Sequence, residues 1–540
     1  MPIDQYLQKY REFQWHIPQN FNIAAAILEQ NPGDNVAIVD VSEHFEIKSY
    51  RFSDIRRMAY RLANTLQSLG VQSGQRVGIL LSQSVELIVS HLAVYLNGAI
   101  AVPLFSLFGD EAVTYRINDA GYTILIADSQ DWNRLRELRT EWHHIEHVIL
   151  TGTAIPGEVG VTSWNQVDMA SERFEMRPTS AQDPALIIYT SGTTGSPKGA
   201  VHAHRVLLGH MPGIFMSHQD FPQPGDLMWT PADWAWIGGL LDVLLPSLYR
   251  GIGVVALRFR KFDPERALEL MRQVPIRNIF FPPTALRLMR QTIPVIDRYP
   301  SVHLRTLACG GEALSPDLWG WVRSAFGVVP AEFYGQTEAN LLLSNQPDAF
   351  APQIGSMGRA VYGHRVRLVN NRDEAVEVGE QGEIVVDLPD PVAFLGYWNK
   401  PEATEQKMSG GSIHTGDLAV QDEQGNFYFV ARSDDVINSS GYRMGPTEIE
   451  AAILSHPQIS MAAVIGKPDP IRGEIVKAFV VPVSPVPNKR QITEEIQNLV
   501  RKKLGAHEYP REVAFVESLP MTTTGKIQRR ILREQERPKP

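Results

Sequence analysis

Residues 185–199 read ALIIYTSGTTGSPKG. The first six are apolar or β-prone with no helical stripe, so they read as a buried strand. The next nine hold only Ser, Gly, Thr, Pro and one lysine. Small residues let backbone N–H groups approach phosphate oxygens, and the hydroxyls add donors. The Walker phosphate loop needs lysine directly after glycine and then Ser or Thr. Here Pro197 precedes Lys198 and Gly199 follows it, so this is a phosphate-type loop of another design. A flexible linker is the weaker reading, because it would not sit between two apolar runs with a fixed Pro-Lys-Gly end.

Outward from the loop, apolar runs alternate with amphipathic stretches. DPERALELMRQV at 263–274 offers Asp263 as N-cap, Pro264 at the first helical position and an acid next, which predicts a helix. An apolar run RNIFFPP and a second helix TALRLMRQ follow. LRTLAC then reads as a strand, GGEAL as a turn, SPDLWGWVRSAFG as a helix with a glycine stop, and VVPAEF as a strand. Strand–helix–strand at this spacing implies α/β architecture with largely parallel sheets.

The rhythm changes after residue 360, where RVRLVN, GEIVVD and GNFYFVA predict short strands of a smaller β-rich part, 360–433. It changes again after ARSDD. Helix 447–455, strands near 459–466 and 475–482, helix 491–504 and strand 512–516 predict a compact α+β module. The expected organisation is therefore a large domain of layered α/β subdomains over 1–433 and a C-terminal domain over 434–540. The polar junction ARSDDVINSSG is the candidate hinge.

Whole-chain properties set outer bounds. The 540 residues are 44% apolar and 21% charged, with no biased tract. One cysteine, Cys309, lies in the apolar run RTLAC; it reads as a buried structural thiol, rules out a disulfide framework within the chain, and fits the cytoplasm. No apolar stretch reaches the roughly 18–20 residues of a membrane span; IGGLLDVLLPSLY is broken by Asp242 and Pro246. The N-terminus lacks a signal-peptide core and is a poor transit peptide. A net charge of −9 argues against nucleic-acid binding. Anionic ligands must then be held by local groups rather than by the overall field.

With these motifs in view, the chain resembles the adenylate-forming superfamily of acyl-CoA synthetases, luciferases and peptide-synthetase adenylation domains. YTSGTTGSPKG is similar to its phosphate loop and YGQTE at 334–338 to its second nucleotide motif. TGD at 415–417 and RSDDVINSSGYRMGPTEIE at 432–450 resemble its ribose and hinge motifs, and TTTGKIQRR at 522–530 its C-terminal lysine motif. The resemblance runs from about residue 20 to 535. A single match would say little; the motifs standing in order are specific. Within the superfamily, GYRMGPTEIE and PIRGEIVKAFVVP look most like the medium-chain acyl-CoA synthetase branch.

The resemblance implies two reactions: a carboxylate attacks the α-phosphate of ATP, giving an acyl-adenylate and pyrophosphate, and the CoA thiol then displaces AMP. It assigns Lys198, Thr190, Ser191, Gly192, Thr193, Thr194 and Gly195 to the β- and γ-phosphates. Thr337 would meet the α-phosphate and Glu338 would hold Mg²⁺. Asp417 would take the ribose hydroxyls, with Arg432 in support. Gly311, Glu312 and Ala313 would line the adenine site, and Tyr334 would be a further nucleotide-binding residue. Lys526 would bridge the attacking carboxylate and the α-phosphate. Asp434 would be the hinge about which the small domain rotates, replacing Lys526 by the Gly441 segment at the thiol tunnel, with Arg443 on phosphate in one of the two states.

The acyl site is expected along PADWAWIGG, with Trp236, Ile237 and Gly238 joined by Gly310 and Gly335. By resemblance, relatives specialised for acetate close the pocket with a tryptophan where this chain has Gly335. Three glycines predict a deep apolar slot, and each buried methylene adds about 0.8 kcal/mol, so acids longer than acetate or aromatic acids should be preferred. The expected partners are a small carboxylic acid, ATP and CoA, with no nucleic acid and no membrane span; oligomeric state is left open. The chain stops soon after Lys526 without a carrier unit, which favours CoA as acceptor. Two alternatives are loading of a separate acyl carrier protein and a non-catalytic nucleotide-binding relative; the presence of both Lys198 and Lys526 weighs against the second.

Overall fold

The computed structural model describes residues 2–153, 158–190, 196–259, 262–293, 302–433, 435–439, 442–469, 472–504, 508–522 and 526–536. Among these residues the strands form four sheets of nine, eight, five and five strands.

The two large sheets are parallel at their centres. Strands Asn278–Phe281, Thr306–Gly310 and Pro330–Gln336 lie side by side in chain order in the nine-stranded sheet. Between them run the helices Pro283–Thr292 and Pro316–Phe326. The capping is as the residues dictate. Asp263 accepts from the backbone of Glu265 and Arg266 ahead of helix Pro264–Gln273. Ser315 accepts from Leu318, and Gly327 ends the next helix at φ 69°, a left-handed turn that glycine adopts without strain. In the eight-stranded sheet Arg76–Leu80, Ile100–Pro103, Ile124–Asp128 and His147–Thr151 are parallel and almost wholly apolar, as strands covered on both faces must be.

The main core lies between these sheets. Helix Val85–Leu96 is buried at every residue except Glu86, and one hydrophobic cluster joins it to Ile79 and Ile188 of one sheet and Ile38 and Ala308 of the other. IGGLLDVLLPSLY belongs to this core: Leu240–Leu244 is a π-helical turn inside a buried helical segment. Among the described residues no helix is long and apolar enough to cross a membrane.

The strands on either side of the glycine-rich stretch are antiparallel, with Thr190 opposite Lys198, whereas a Walker loop leads a strand into a helix, in keeping with the sequence reading. One feature differs from that reading. The smaller β-rich part is not all of 360–433. Val366–Val369, Gln381–Asp387, Met408–Ser409, Ser412–Gln421 and Phe427–Arg432 form an antiparallel sheet. Gly396–Tyr397 instead joins the edge of the eight-stranded sheet beside Lys198–Ala203.

The C-terminal residues have their own core. Helix Pro446–Leu454, strands Ile459–Asp469 and Gly473–Pro482, helix Lys489–Lys503 and strand Glu512–Phe515 fall close to the expected places. Lys489–Lys503 buries Ile492, Ile496 and Val500, one stripe of a 3.6-residue period.

Candidate active site

Strands Pro330–Gln336 and Ala339–Ser344 are antiparallel, with Gln336 opposite Ala339, so Thr337 and Glu338 are the two-residue tip of a tight hairpin. Glu338 is 9% exposed, and its Oε1 accepts a hydrogen bond from the Tyr397 hydroxyl. Its backbone oxygen accepts from Phe394 N at 2.9 Å. Lys198 Nζ lies over the Tyr397 ring, 5.1 Å from its centroid. The lysine of the glycine-rich loop and the acid of the hairpin thus converge on one phenol. Burial and the Glu338 charge push that phenol far above its ordinary range, which keeps it protonated and donating.

Behind this pair lies a polar cluster around Asp417. Its Oδ2 accepts from the Tyr334 hydroxyl at 2.6 Å and from Gln336 Nε2. Its Oδ1 faces Arg432 Nη1 at 3.8 Å across adjacent strands. Lys407 Nζ donates to Gln336 Oε1 at 2.9 Å and to Thr415 O at 3.0 Å, which fixes the orientation of the Gln336 amide. Burial lowers the pKa of Lys407, opposed by the Glu338 and Asp417 charges. Gly416, between Thr415 and Asp417, sits at φ 74°, and its N–H donates to Glu383 at 2.7 Å.

A family model described as AMP-binding enzyme matches residues 24–398, and its C-terminal domain model matches 448–526. The chain belongs to the AMP-binding enzyme family. It is 32% identical to the mouse (Mus musculus) mitochondrial acyl-coenzyme A synthetase ACSM4, over 96% of this chain and 91% of that protein. It is 30% identical to the uncharacterized acyl–CoA ligase YtcI of Bacillus subtilis, over 93% and 94%. The structure of the anthranilate CoA ligase AuaEII in complex with anthranoyl-AMP superposes with a TM-score of 0.88 at 27% identity, over 96% of this chain and 98% of that one. As a member of this family the protein is an enzyme, an AMP-forming acyl-CoA ligase of the acid–thiol type.

The donor set of this AMP-binding enzyme suits a magnesium nucleotide. Mg²⁺ is commonly bound by one or two carboxylates together with substrate phosphates, and Glu338 is a nearly buried carboxylate with Oε2 outside the Tyr397 bond. Asp417 has one oxygen saturated by two donors and the other beside Arg432, so Oδ1 rather than both carboxylate oxygens is left open to a ligand hydroxyl.

Other expected site residues fall at varied distances from this centre. Gly311, Glu312 and Ala313 follow strand Thr306–Gly310, but Glu312 is tied to Arg287 and accepts from Thr284 at 2.8 Å, so its carboxylate is already engaged. Trp236 packs its ring 5.8 Å from Phe105 and 5.7 Å from Phe108, and Ile237 is partly buried against the main core. The three glycines do not leave an empty slot. A Cβ on Gly310 would fall 2.7 Å from the Phe333 ring, one on Gly238 3.1 Å from Phe280, and one on Gly335 2.4 Å from Asn340 Oδ1 and from Leu341 N. These glycines allow close approach, and neighbours occupy the space their missing side chains would have opened.

Lys526 lies in the C-terminal region, its N–H donating to Thr522 Oγ1 at 3.0 Å and its side chain exposed. Among the described residues no hydrogen bond or ion pair joins that side chain to Glu338 or Asp417. Arg443 is in strand Tyr442–Met444, opposite Asn438. Ser191, Gly192, Thr193, Thr194, Gly195, Asp434 and Gly441 lie outside the described residues. Motif reading missed Tyr397 and Lys407; the signal available for the first was GYWN, an aromatic pair shortly before TGD.

Proposed function

We propose that this ligase activates a medium-chain or aromatic carboxylic acid with magnesium ATP and passes the acyl group to CoA. The observation that carries the reading is the convergence of Lys198 and Glu338 on Tyr397 beside the Asp417–Arg432 pair. The matched anthranilate ligase acts on an aromatic acid, which supports the aryl alternative. The cytoplasm is the proposed compartment, in keeping with a single, buried cysteine.

In the first step a carboxylate oxygen bonds to the α-phosphorus and the bond to the pyrophosphate oxygen breaks. Two anions approach each other, so fixed cations lower the barrier most. Lys198 and the loop hydroxyls of Thr190, Ser191, Thr193 and Thr194 hold the β- and γ-phosphates. Lys526, brought by the C-terminal domain, bridges the carboxylate and the α-phosphate, which Thr337 also contacts. Asp417, its Oδ2 saturated by Tyr334 and Gln336, offers Oδ1 to the ribose hydroxyls, so the nucleotide docks in one orientation. Glu338 would hold Mg²⁺, which when bound neutralises phosphate charge. In the second step the CoA sulfur attacks the acyl carbon, AMP leaves with the electrons of the broken C–O bond, and the thiol proton passes to solvent. Rotation about Asp434 exchanges Lys526 for the Gly441 segment between steps, so one site serves both.

Carboxylate-dependent ATP–pyrophosphate exchange, run from acetate to decanoate and over benzoates with CoA thioester measured in parallel, tests the reading. Exchange with octanoate- or benzoate-sized acids and thioester formation with CoA are expected. Exchange without thioester would point to a carrier-protein acceptor, and exchange with acetate alone would remove the chain-length claim.

A further inference from the structure

A buried polar trio borders Gly238 and Gly335, and nothing in the two steps above uses it. The π-helical turn Leu240–Leu244 is a local irregularity of the kind found at functional sites. At its centre is Asp242, 2% exposed. Asp242 Oδ1 accepts from Asn340 Nδ2 at 2.7 Å, and the same amide nitrogen lies 3.3 Å from His210 Nε2. His210 Nδ1 lies 2.7 Å from Val206 O. One proton assignment satisfies all three contacts: a neutral His210 donates from Nδ1 and accepts at Nε2, which uses both amide protons of Asn340.

Two oxygens remain. Among the described residues neither Asp242 Oδ2 nor Asn340 Oδ1 has a hydrogen-bond partner, although the two residues are 2% and 4% exposed. Each oxygen keeps some accessible surface although its residue is buried, so a group entering there meets two oxygens with no protein partner. Both lie at the acyl positions. The Cβ directions of Gly335 and Gly238 point to within 2.4 Å of Asn340 Oδ1 and 3.7 Å of Asp242 Oδ2. Leu341, next to Asn340, is held at φ 61° in the left-handed region, a strained conformation for leucine, at the register slip of the Glu338 hairpin. Strain of this sort clusters at ligand-binding positions.

We propose that Asp242 and Asn340 recognise a hydroxyl group, alcoholic or phenolic, that the acid substrate carries away from its carboxylate. The proposal rests on the acyl-CoA ligase reading. Burial pushes the Asp242 carboxyl up to about 8, so near neutral pH it is largely the protonated acid and can donate. A hydroxyl then meets both free oxygens: it accepts from Asp242 and donates to Asn340 Oδ1. An unsubstituted acid leaves both unpaired, and sites built around a substrate hydroxyl discriminate strongly against the analogue lacking it.

The test compares matched pairs by AMP release: benzoate with the three hydroxybenzoates and with aminobenzoate, and hexanoate and octanoate with their ω-hydroxy acids. In the wild type, at least one hydroxylated acid should exceed its parent in kcat/KM by about 10²-fold or more. Asn340→Ala should lose far more on that acid than on its parent. Asp242→Ala should do the same and serves if Asn340→Ala does not fold, whereas Asp242→Asn, which accepts and donates as the protonated acid does, should keep the preference. Parents turned over as well as every hydroxylated partner, or a ratio that survives both alanine variants, overturns the hydroxyl assignment alone. Preference for the amine over the hydroxyl also overturns it. Failure of every acid to release AMP defeats the ligase reading instead.

Discussion

Asp435 and Arg529, 94 positions apart, are joined at 3.1 Å. Arg529 also pairs with Glu450 at 2.7 Å, and Arg533 meets the other Asp435 oxygen at 2.7 Å. Asp435 directly follows the proposed pivot Asp434, and helix Arg529–Glu536 begins three residues after Lys526. The clamp therefore ties the residue next to the proposed pivot to the helix that follows Lys526.

Asp435→Ala should loosen that clamp. Glu450 still holds Arg529, so the expected stability loss is moderate, about 1–3 kcal/mol. Adenylate formation should slow more than thioester formation, because in the proposed mechanism only the first step needs Lys526 placed. Single-turnover assays of each step, with a thermal melt, check this. Equal slowing of both would mean that the clamp only holds the C-terminal fold together.

Lys526→Ala should separate the steps further. In the proposed mechanism the lost charge acts mainly in the transition state, so kcat should fall by roughly 10²–10³-fold with little change in KM. Given chemically made octanoyl-adenylate and CoA, the variant should release octanoyl-CoA at near the wild-type rate. Equal failure with the premade adenylate would falsify the two-state use of the site.

Tyr397→Phe removes the hydroxyl that donates to Glu338 but keeps the ring beneath Lys198. Glu338 then loses its one fixed orientation. The expected result is a Mg²⁺ requirement raised by about tenfold, one hydrogen bond's worth, with the fold intact. Titrating activity against Mg²⁺ measures it, with Glu338→Gln as the stronger comparison. An unchanged Mg²⁺ curve for both variants would remove Glu338 from the metal site.

Gly335→Trp was the substitution that a simple open-slot picture would choose to switch the enzyme toward acetate. The structure predicts another outcome. Even a Cβ there falls 2.4 Å from Leu341 N, a backbone atom that cannot step aside. Both Gly335→Ala and Gly335→Trp should therefore lower the melting temperature and weaken turnover of all acids alike. A selective gain for acetate in a stable Gly335→Trp protein would restore the open slot.

Glu332 offers a pH-dependent test away from the chemistry. It is 6% exposed, its Oε1 accepts from Leu314 N at 3.2 Å, and burial raises its carboxyl to about 8. The unfolded carboxyl titrates near about 4.3. Between those two values the native state holds a proton that the unfolded chain has released. Rising pH therefore erodes stability across that window, and the penalty is complete above it. Glu332→Gln should flatten this slope, so that the variant overtakes the wild type on the alkaline side. Parallel stability curves from pH-dependent denaturant melts would contradict the assignment.

The elements with local causes were legible in the sequence. Asp263, Ser315 and Gly327 mark helix ends by their own chemistry, and the apolar runs of the parallel strands need no distant information. The motif residues Lys198, Glu338, Asp417 and Arg432 were likewise identifiable by their neighbours. Tyr397 and Lys407 were not. Each acts through a residue far away in the chain: GYWN marks Tyr397 as part of an aromatic pair but names no partner, and an isolated lysine has no spacing that announces one.

By itself the sequence determined the architecture, the family and the identity of the charged groups, because those follow from periodicity, caps and contiguous motifs. Only the tertiary structure decided how the groups meet. Gly396–Tyr397 leaves the small sheet and, by pairing with Lys198–Ala203, sets one phenol between Lys198 and Glu338. It also decided what the acyl glycines mean. A missing side chain is an absence in the sequence, but whether it leaves space depends on what packs into it. Here Phe280, Phe333 and Asn340 do so, because close packing draws neighbours into any volume that a glycine leaves.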